Sequence, residues 1–142
     1  MLQTNLFKLI IVSFMLCALC SACQTQPTIQ LPNNIQELSE SMAENVLSSL
    51  QNQDYDAFIQ DFDEKMKTVM HQQAFDQLHA SFEDKLGAYQ DFAFQKTEIE
   101  QSFIVVYFIA QFAKGDVTLR LVLEPQEPYK ISGMWFPDFP AN

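Results

Sequence analysis

Between Phe103 and Glu124 the chain has few options. An unbroken apolar run from Phe103 to Ile109 leads through Gln111 and Phe112 to Lys114, Gly115 and Asp116, and then directly into Val117, Leu119, Leu121, Val122 and Leu123. Valine, isoleucine, phenylalanine and tyrosine favour a pleated surface, and a glycine between polar residues supplies the backbone freedom of a tight turn, so the pattern predicts two β-strands joined as a hairpin. The first strand is apolar on both faces. Phe103, Val105, Tyr107 and Ile109 point one way and Ile104, Val106, Phe108 and Phe112 the other, which places it centrally in a sheet with both sides in need of cover. The second alternates, with Thr118 and Arg120 opposite Val117, Leu119 and Leu121. Alternation does not say which face is packed against the rest of the chain.

The residues before this hairpin are helical in pattern. Asn33 or Asn34 can cap a helix in which Ile35, Leu38, Met42, Val46 and Leu50 recur at three and four, with Glu37, Glu40 and Glu44 towards water. Gln51, Asn52 and Gln53 end it. Asp54 caps a second unit (Tyr55, Phe58, Ile59, Phe62), which continues as Met66, Val69 and Met70 past a break near Asp61 to Asp63. A third helix spans Gln72 to Leu86, with Phe75, Leu78 and Phe82 inward and Gly87 terminating it. Strands follow: Ala88 to Ile99, the hairpin, a turn at Pro125-Gln126-Glu127-Pro128, and Tyr129 to Phe136. Gly133, inside this last strand, marks a bulge or a close approach of other atoms. Helices first and a four-stranded antiparallel sheet second make an α+β layer arrangement with the helices on one sheet face. Thirteen phenylalanines in 142 residues exclude a disordered chain, since that surface must be buried.

The N-terminus is a processing segment. Lys8 precedes an apolar stretch from Leu9 to Leu19 that is short for a membrane span, followed by Cys20-Ser21-Ala22-Cys23. This ending resembles the bacterial lipoprotein signal, in which small residues precede a cysteine that is lipidated and becomes the new N-terminus. The usual leucine three residues before that cysteine is Cys20 here, with Leu19 one step earlier. The resemblance implies residues 1–22 as signal peptide, acyl chains on Cys23 as the membrane anchor, residues 23–33 as a proline-punctuated tether and residues 34–138 as a single domain. Ordinary cleavage after Ala22 is the alternative. By the same resemblance, Gln24 in place of Asp implies sorting to the periplasmic side of the outer membrane if the cell has one, and otherwise a place on the outer face of the plasma membrane. Cys17, Cys20 and Cys23 have the spacing of a cluster-binding run, but they lie in an apolar export signal without a fourth ligand. No cysteine follows Cys23, so the domain stands without disulfides.

Chemistry-bearing patterns are sparse. The formal charge of −10 becomes about −11 once Lys8 is removed, a surface that repels nucleic acid and anionic headgroups. His71 and His79 form no short ligand pattern with a carboxylate, and Asp61, Asp63 and Glu64 read as a helix start, with Asp63 as its cap, better than as a calcium loop. There is no serine elbow, phosphate-binding glycine loop or dinucleotide fingerprint. No catalytic residue, metal or cofactor is assigned.

The order of elements carries a second resemblance. A helix, the Asn52-Gln53-Asp54-Tyr55-Asp56-Ala57 corner, Phe62-Asp63-Glu64-Lys65-Met66-Lys67, a helix ending at Leu86-Gly87-Ala88-Tyr89, and strands closing with Lys130-Ile131-Ser132-Gly133-Met134-Trp135 resemble the domain-of-unknown-function family 3887 over Ile35 to Phe136. The resemblance implies a cystatin-like or nuclear transport factor 2-like cone, with N-terminal helices packed on one face of a curved four-stranded antiparallel sheet, and no established reaction. The expectation is a non-catalytic, membrane-anchored envelope domain binding a small apolar ligand or a protein partner, either a second copy or another envelope protein. Tyr107, Trp135, Tyr89 and Phe62 are the candidate pocket or partner surface. The alternative is a small enzyme with an acid-base site inside the cone, for which Asp91 or Asp56 would have to meet a tyrosine and His79.

Overall fold

Three of the four helices begin at a side chain that replaces a lost backbone partner. A computed structural model describes residues 29–140, in which α1 (Ile35–Asn52) buries Ile35, Met42, Val46, Leu47 and Leu50 on one stripe. Its end is marked by Gln53, whose left-handed backbone turns the chain so that the Asp54 amide reaches the Ser49 carbonyl at 2.9 Å. Asn34 occupies the N-cap position of α1 without a side-chain bond. The other caps are side-chain caps: Asp54 accepts from the Ala57 amide at the start of α2 (Tyr55–Phe58), and Asp63 from the Met66 amide at the start of α3 (Glu64–Val69). His71 Nδ1 does the same for Ala74 at the start of α4 (Gln72–Lys85). Gly87, with φ +71°, closes α4 as its amide bonds back to the Phe82 carbonyl. Asn45 ties the helical layer together, its amide donating to the Ala57 carbonyl and the Asp61 carboxylate.

The sheet is an antiparallel meander of β1 (Tyr89–Glu100), β2 (Phe103–Phe112), β3 (Gly115–Leu123) and β4 (Ile131–Trp135), in the order β1-β2-β3-β4. The α+β arrangement is therefore as expected, but the curved cone is not. The sheet is neither curved nor closed. Every strand pairs with its neighbours in the chain, and no long connection returns β4 to β1, so the two edges stay apart. The concave interior that a cone would provide is instead solid core: Phe108, Leu119, Leu121 and Ile131 are fully buried beneath the helices.

Three details depart from the periodicity. The β2–β3 turn is Ala113-Lys114, one residue earlier than the glycine suggests, because Gly115 already pairs with Phe112. The β1–β2 turn is Gln101-Ser102, both with positive φ (47° and 72°), as a two-residue hairpin requires, although neither residue is a typical choice for it. The last strand is only Ile131–Trp135. Beyond it, Phe136 and Phe139 pack on Phe82, with ring centroids 4.7 Å away in each case, and Asp138 bonds both the amide and the hydroxyl of Thr118.

The link between α2 and α3 also contributes to the sheet. Phe62 forms a parallel bridge with Ile131, the Asp63 amide donates to the Ile131 carbonyl, and the Ile131 amide donates to the Asp61 carbonyl. This short clasp holds the α2–α3 link against the β4 edge and brings Asp63 and Lys65 alongside the sheet face that the helices leave open.

Candidate functional site

Strand register decides what the open face presents. Ile104, Val106, Phe108 and Phe112 belong to the core under the helices, which leaves Phe103, Val105, Tyr107 and Ile109 on the other side. Across the ladder Tyr107 faces Lys96 and Arg120, Val105 faces Glu98 and Val122, and Arg120 faces Trp135. A groove of about 500 Å³ runs over this surface between Glu100, Phe103, Val105, Arg120, Val122 and Trp135, with Asp63 and Lys65 as its far wall.

Its centre is a closed polar cycle. The Tyr107 hydroxyl donates to one Glu100 oxygen at 2.8 Å and accepts from Arg120 Nε at 3.2 Å, while Arg120 Nη2 donates to the other Glu100 oxygen at 2.8 Å. The hydrogen bonds from Tyr107 and then Arg120 hold the Glu100 carboxyl below its usual range. Partial burial opposes the charge on Arg120, but its bonds to Tyr107 and Glu100 outweigh this and raise its pKa further. The guanidinium lies 5.9 Å from the Tyr107 ring and 5.1 Å from the Trp135 ring. Lys96 completes the rim, 4.7 Å over the other aromatic partner, Tyr107, and bonded to Glu98 at 2.8 Å, a bond that raises its pKa.

Trp135 is 52% exposed, yet its position is dictated by the strand beneath it. A Cβ on Gly133 would stand 2.4 Å from two indole carbons, so the ring lies directly on the glycine. Only a residue without a side chain admits this approach, which is the reason for a glycine inside β4. A register shift between Val122 and Leu123, opposite Gly133 and Ile131, adds the irregularity that the sequence signalled at this point.

The model of the family described as "Protein of unknown function (DUF3887)" matches residues 43–134. The chain belongs to this family. No curated protein and no solved structure matches it. The matched span includes most of α1, all of the open-face residues from Glu100 to Gly133, and the clasp between α2 and α3, and stops just short of Trp135.

In this DUF3887 domain the residues singled out in the sequence separate into two groups. Tyr107 and Trp135 share the open face, bridged by Arg120. Tyr89 packs on Phe112 at 5.7 Å and donates to Glu44 of α1 at 2.9 Å; burial and then the Glu44 carboxylate push its pKa up. Phe62 is 1% exposed and sits edge-on against Phe58 in the core. Neither lines the groove. Cys23, and with it the expected lipidation site, lies outside the described residues. His79 Nδ1 contacts the Leu50 carbonyl at 2.8 Å and borders a small crevice with Gln51 and Glu83, whereas Asp91 bonds the amide of Phe92 next to it. The groupings expected of an acid-base site, Asp91 or Asp56 with His79 and a tyrosine, are therefore not assembled in that crevice. Among the described residues no three His, Cys, Asp or Glu side chains are placed to hold a metal ion, and no helix is long and apolar enough to cross a membrane. Arg120 and Glu100 are the residues that sequence reasoning missed. A lone arginine in a strand, paired directly opposite a tyrosine on its neighbour, was the available signal.

Proposed function

We propose that this domain is a non-catalytic binding module of the bacterial cell envelope, tethered through lipid on Cys23, which takes a protein partner on the open face of its sheet. The observation that carries the reading is Trp135: a half-exposed indole seated on Gly133 beside Arg120, with Phe103 (39% exposed) across the same groove. Rigid amphipathic aromatics exposed on a face that no helix covers are the usual anchors of a protein contact. A small apolar ligand fits less well, since such ligands are mostly enclosed by their sites, and this groove is open and bordered by Asp63, Lys65, Glu100 and Glu124. The charged groups at its centre are satisfied by one another, which suits a fixed recognition surface better than an acid-base pair. The acidic body keeps clear of anionic headgroups, and a tether of about ten residues gives it a reach of roughly 30 Å from the lipid.

Photo-crosslinking in intact cells tests this reading. Benzoylphenylalanine in place of Trp135 is expected to give discrete higher-mass adducts, and the same group in place of Gln73, on the exposed side of α4, none. Adducts from Gln73 alone would reverse the assignment of faces. Labelling with a radioactive fatty acid should mark the wild type and not Cys23→Ser; an unlabelled wild type would remove the anchor.

A further inference from the structure

The charges left over along the groove indicate what kind of partner fits it. A shallower depression of about 260 Å³ shares Phe103 and Glu124 with the groove and continues it along Pro125, Gln126 and Glu127. Glu100 is committed to Arg120 and Tyr107, and Asp63 holds the first turn of α3 with Lys65 close by. Glu124 and Glu127 have no ion-pair partner among the described residues. The far end of the path therefore carries two unpaired carboxylates, against the one cation on the groove's wall, Lys65, that is unpaired among the described residues, and it belongs to a chain whose net charge is −10. At the near end the outer surface of Trp135 is apolar and exposed, and the exposed edge of Phe103 lies where the groove and the depression meet.

Resting on the binding reading above, we propose that the occupant is an extended peptide segment of another protein, with lysine or arginine alternating with aliphatic residues. The aliphatic side chains and the methylene stems of the cations cover Trp135 and Phe103, and the cationic heads reach Glu124 and Glu127. Acidic segments are excluded by the same carboxylates. Salt weakens the interaction because the pairs form at an exposed rim.

The probe is a fluorescein-labelled heptapeptide of alternating lysine and leucine, titrated against the full-length protein in a zwitterionic detergent. Anisotropy reports binding, and the emission of Trp135, the chain's single tryptophan, reports where it occurs. The expected result is saturable binding that changes Trp135 emission, with no binding by the glutamate-leucine counterpart. E124K/E127K should weaken binding at least tenfold, and E124Q/E127Q about threefold should the reversed charges disturb the loop. E37K/D84K makes the same change in net charge on the helical side and should stay within twofold. Equal losses in E124K/E127K and E37K/D84K would overturn the proposal by showing a general field effect, as would equal binding of the acidic peptide. Absence of binding alongside persistent crosslinks at position 135 would overturn the cationic partner and leave the face itself in place; absence of both would remove the two together.

Discussion

Gly133→Ala probes the seat of Trp135 with a single methyl group. The new Cβ would stand 2.4 Å from the indole, and because the ring is the far end of a side chain it can swing away and leave the backbone in place. An aromatic side chain of this size buries about 150–250 Å² when fully covered, so Trp135, roughly half covered, hides about 100 Å², corresponding to about 2.5 kcal/mol at most. Losing half of that cover and the stacking with Arg120 costs about 1.5–2 kcal/mol, offset by about 0.5 kcal/mol gained when alanine replaces glycine within a strand. The net expectation is a loss of about 1–1.5 kcal/mol, read by urea denaturation followed by far-ultraviolet circular dichroism, with a red shift in tryptophan emission. In a Trp135→Ala background the same substitution has no ring to displace and should be neutral or slightly stabilising, giving a coupling of about 1.5 kcal/mol between the two sites. Additive effects, or unchanged emission in the single variant, would refute the stacking.

Other expectations follow from the core, the turns and the polar cycle. Phe108, fully buried with Phe92 and Phe94 edge-on at 5.5 and 5.9 Å, should cost about 3–5 kcal/mol as Phe108→Ala, lowering the thermal midpoint by well over 10 °C as read by circular dichroism. Ser102→Gly removes a side chain from a backbone with φ 72° and should stabilise the hairpin by about 0.5–1 kcal/mol, seen as a higher urea midpoint. Glu100 has its folded pKa below the ordinary 4.5, so its contribution to stability is present above that value and is lost as pH falls through the folded pKa. Urea midpoints of wild type and Glu100→Gln should therefore differ at neutral pH and converge in acid; a constant gap would contradict the bonds to Tyr107 and Arg120.

Much of this architecture is legible in the sequence because its signals are local. The stripe of Ile35, Met42, Val46 and Leu50, the caps Asp54 and Asp63, the terminator Gly87 and the double-faced strand from Phe103 each follow from spacing or backbone chemistry, and each is found where it was expected. The failures have a common cause, since they concern contacts between distant segments. Nothing near Phe62 announces a bridge to Ile131, so an aromatic assigned to the candidate surface proves to be a core residue. The Gln101-Ser102 turn lacks the usual residues and is imposed by the pairing of β1 with β2. Tyr89 and Trp135 are indistinguishable as exposed-rim aromatics until Glu44 claims one and Gly133 seats the other. The expected cone was inherited from a fold resemblance, and the sheet that forms is an open antiparallel meander, neither curved nor closed.

Cysteine accessibility in intact envelopes tests the use of the open face most directly, because the described residues contain no cysteine to interfere. Gln101→Cys lies on the groove and Gln73→Cys on the exposed side of α4, and the rate of maleimide modification of each is compared between purified protein and native envelope. A partner seated on the sheet predicts that position 101 reacts at least tenfold more slowly in the envelope than in the purified protein, while position 73 reacts alike in both. Equal reactivity of position 101 in the two settings would contradict a covered sheet face.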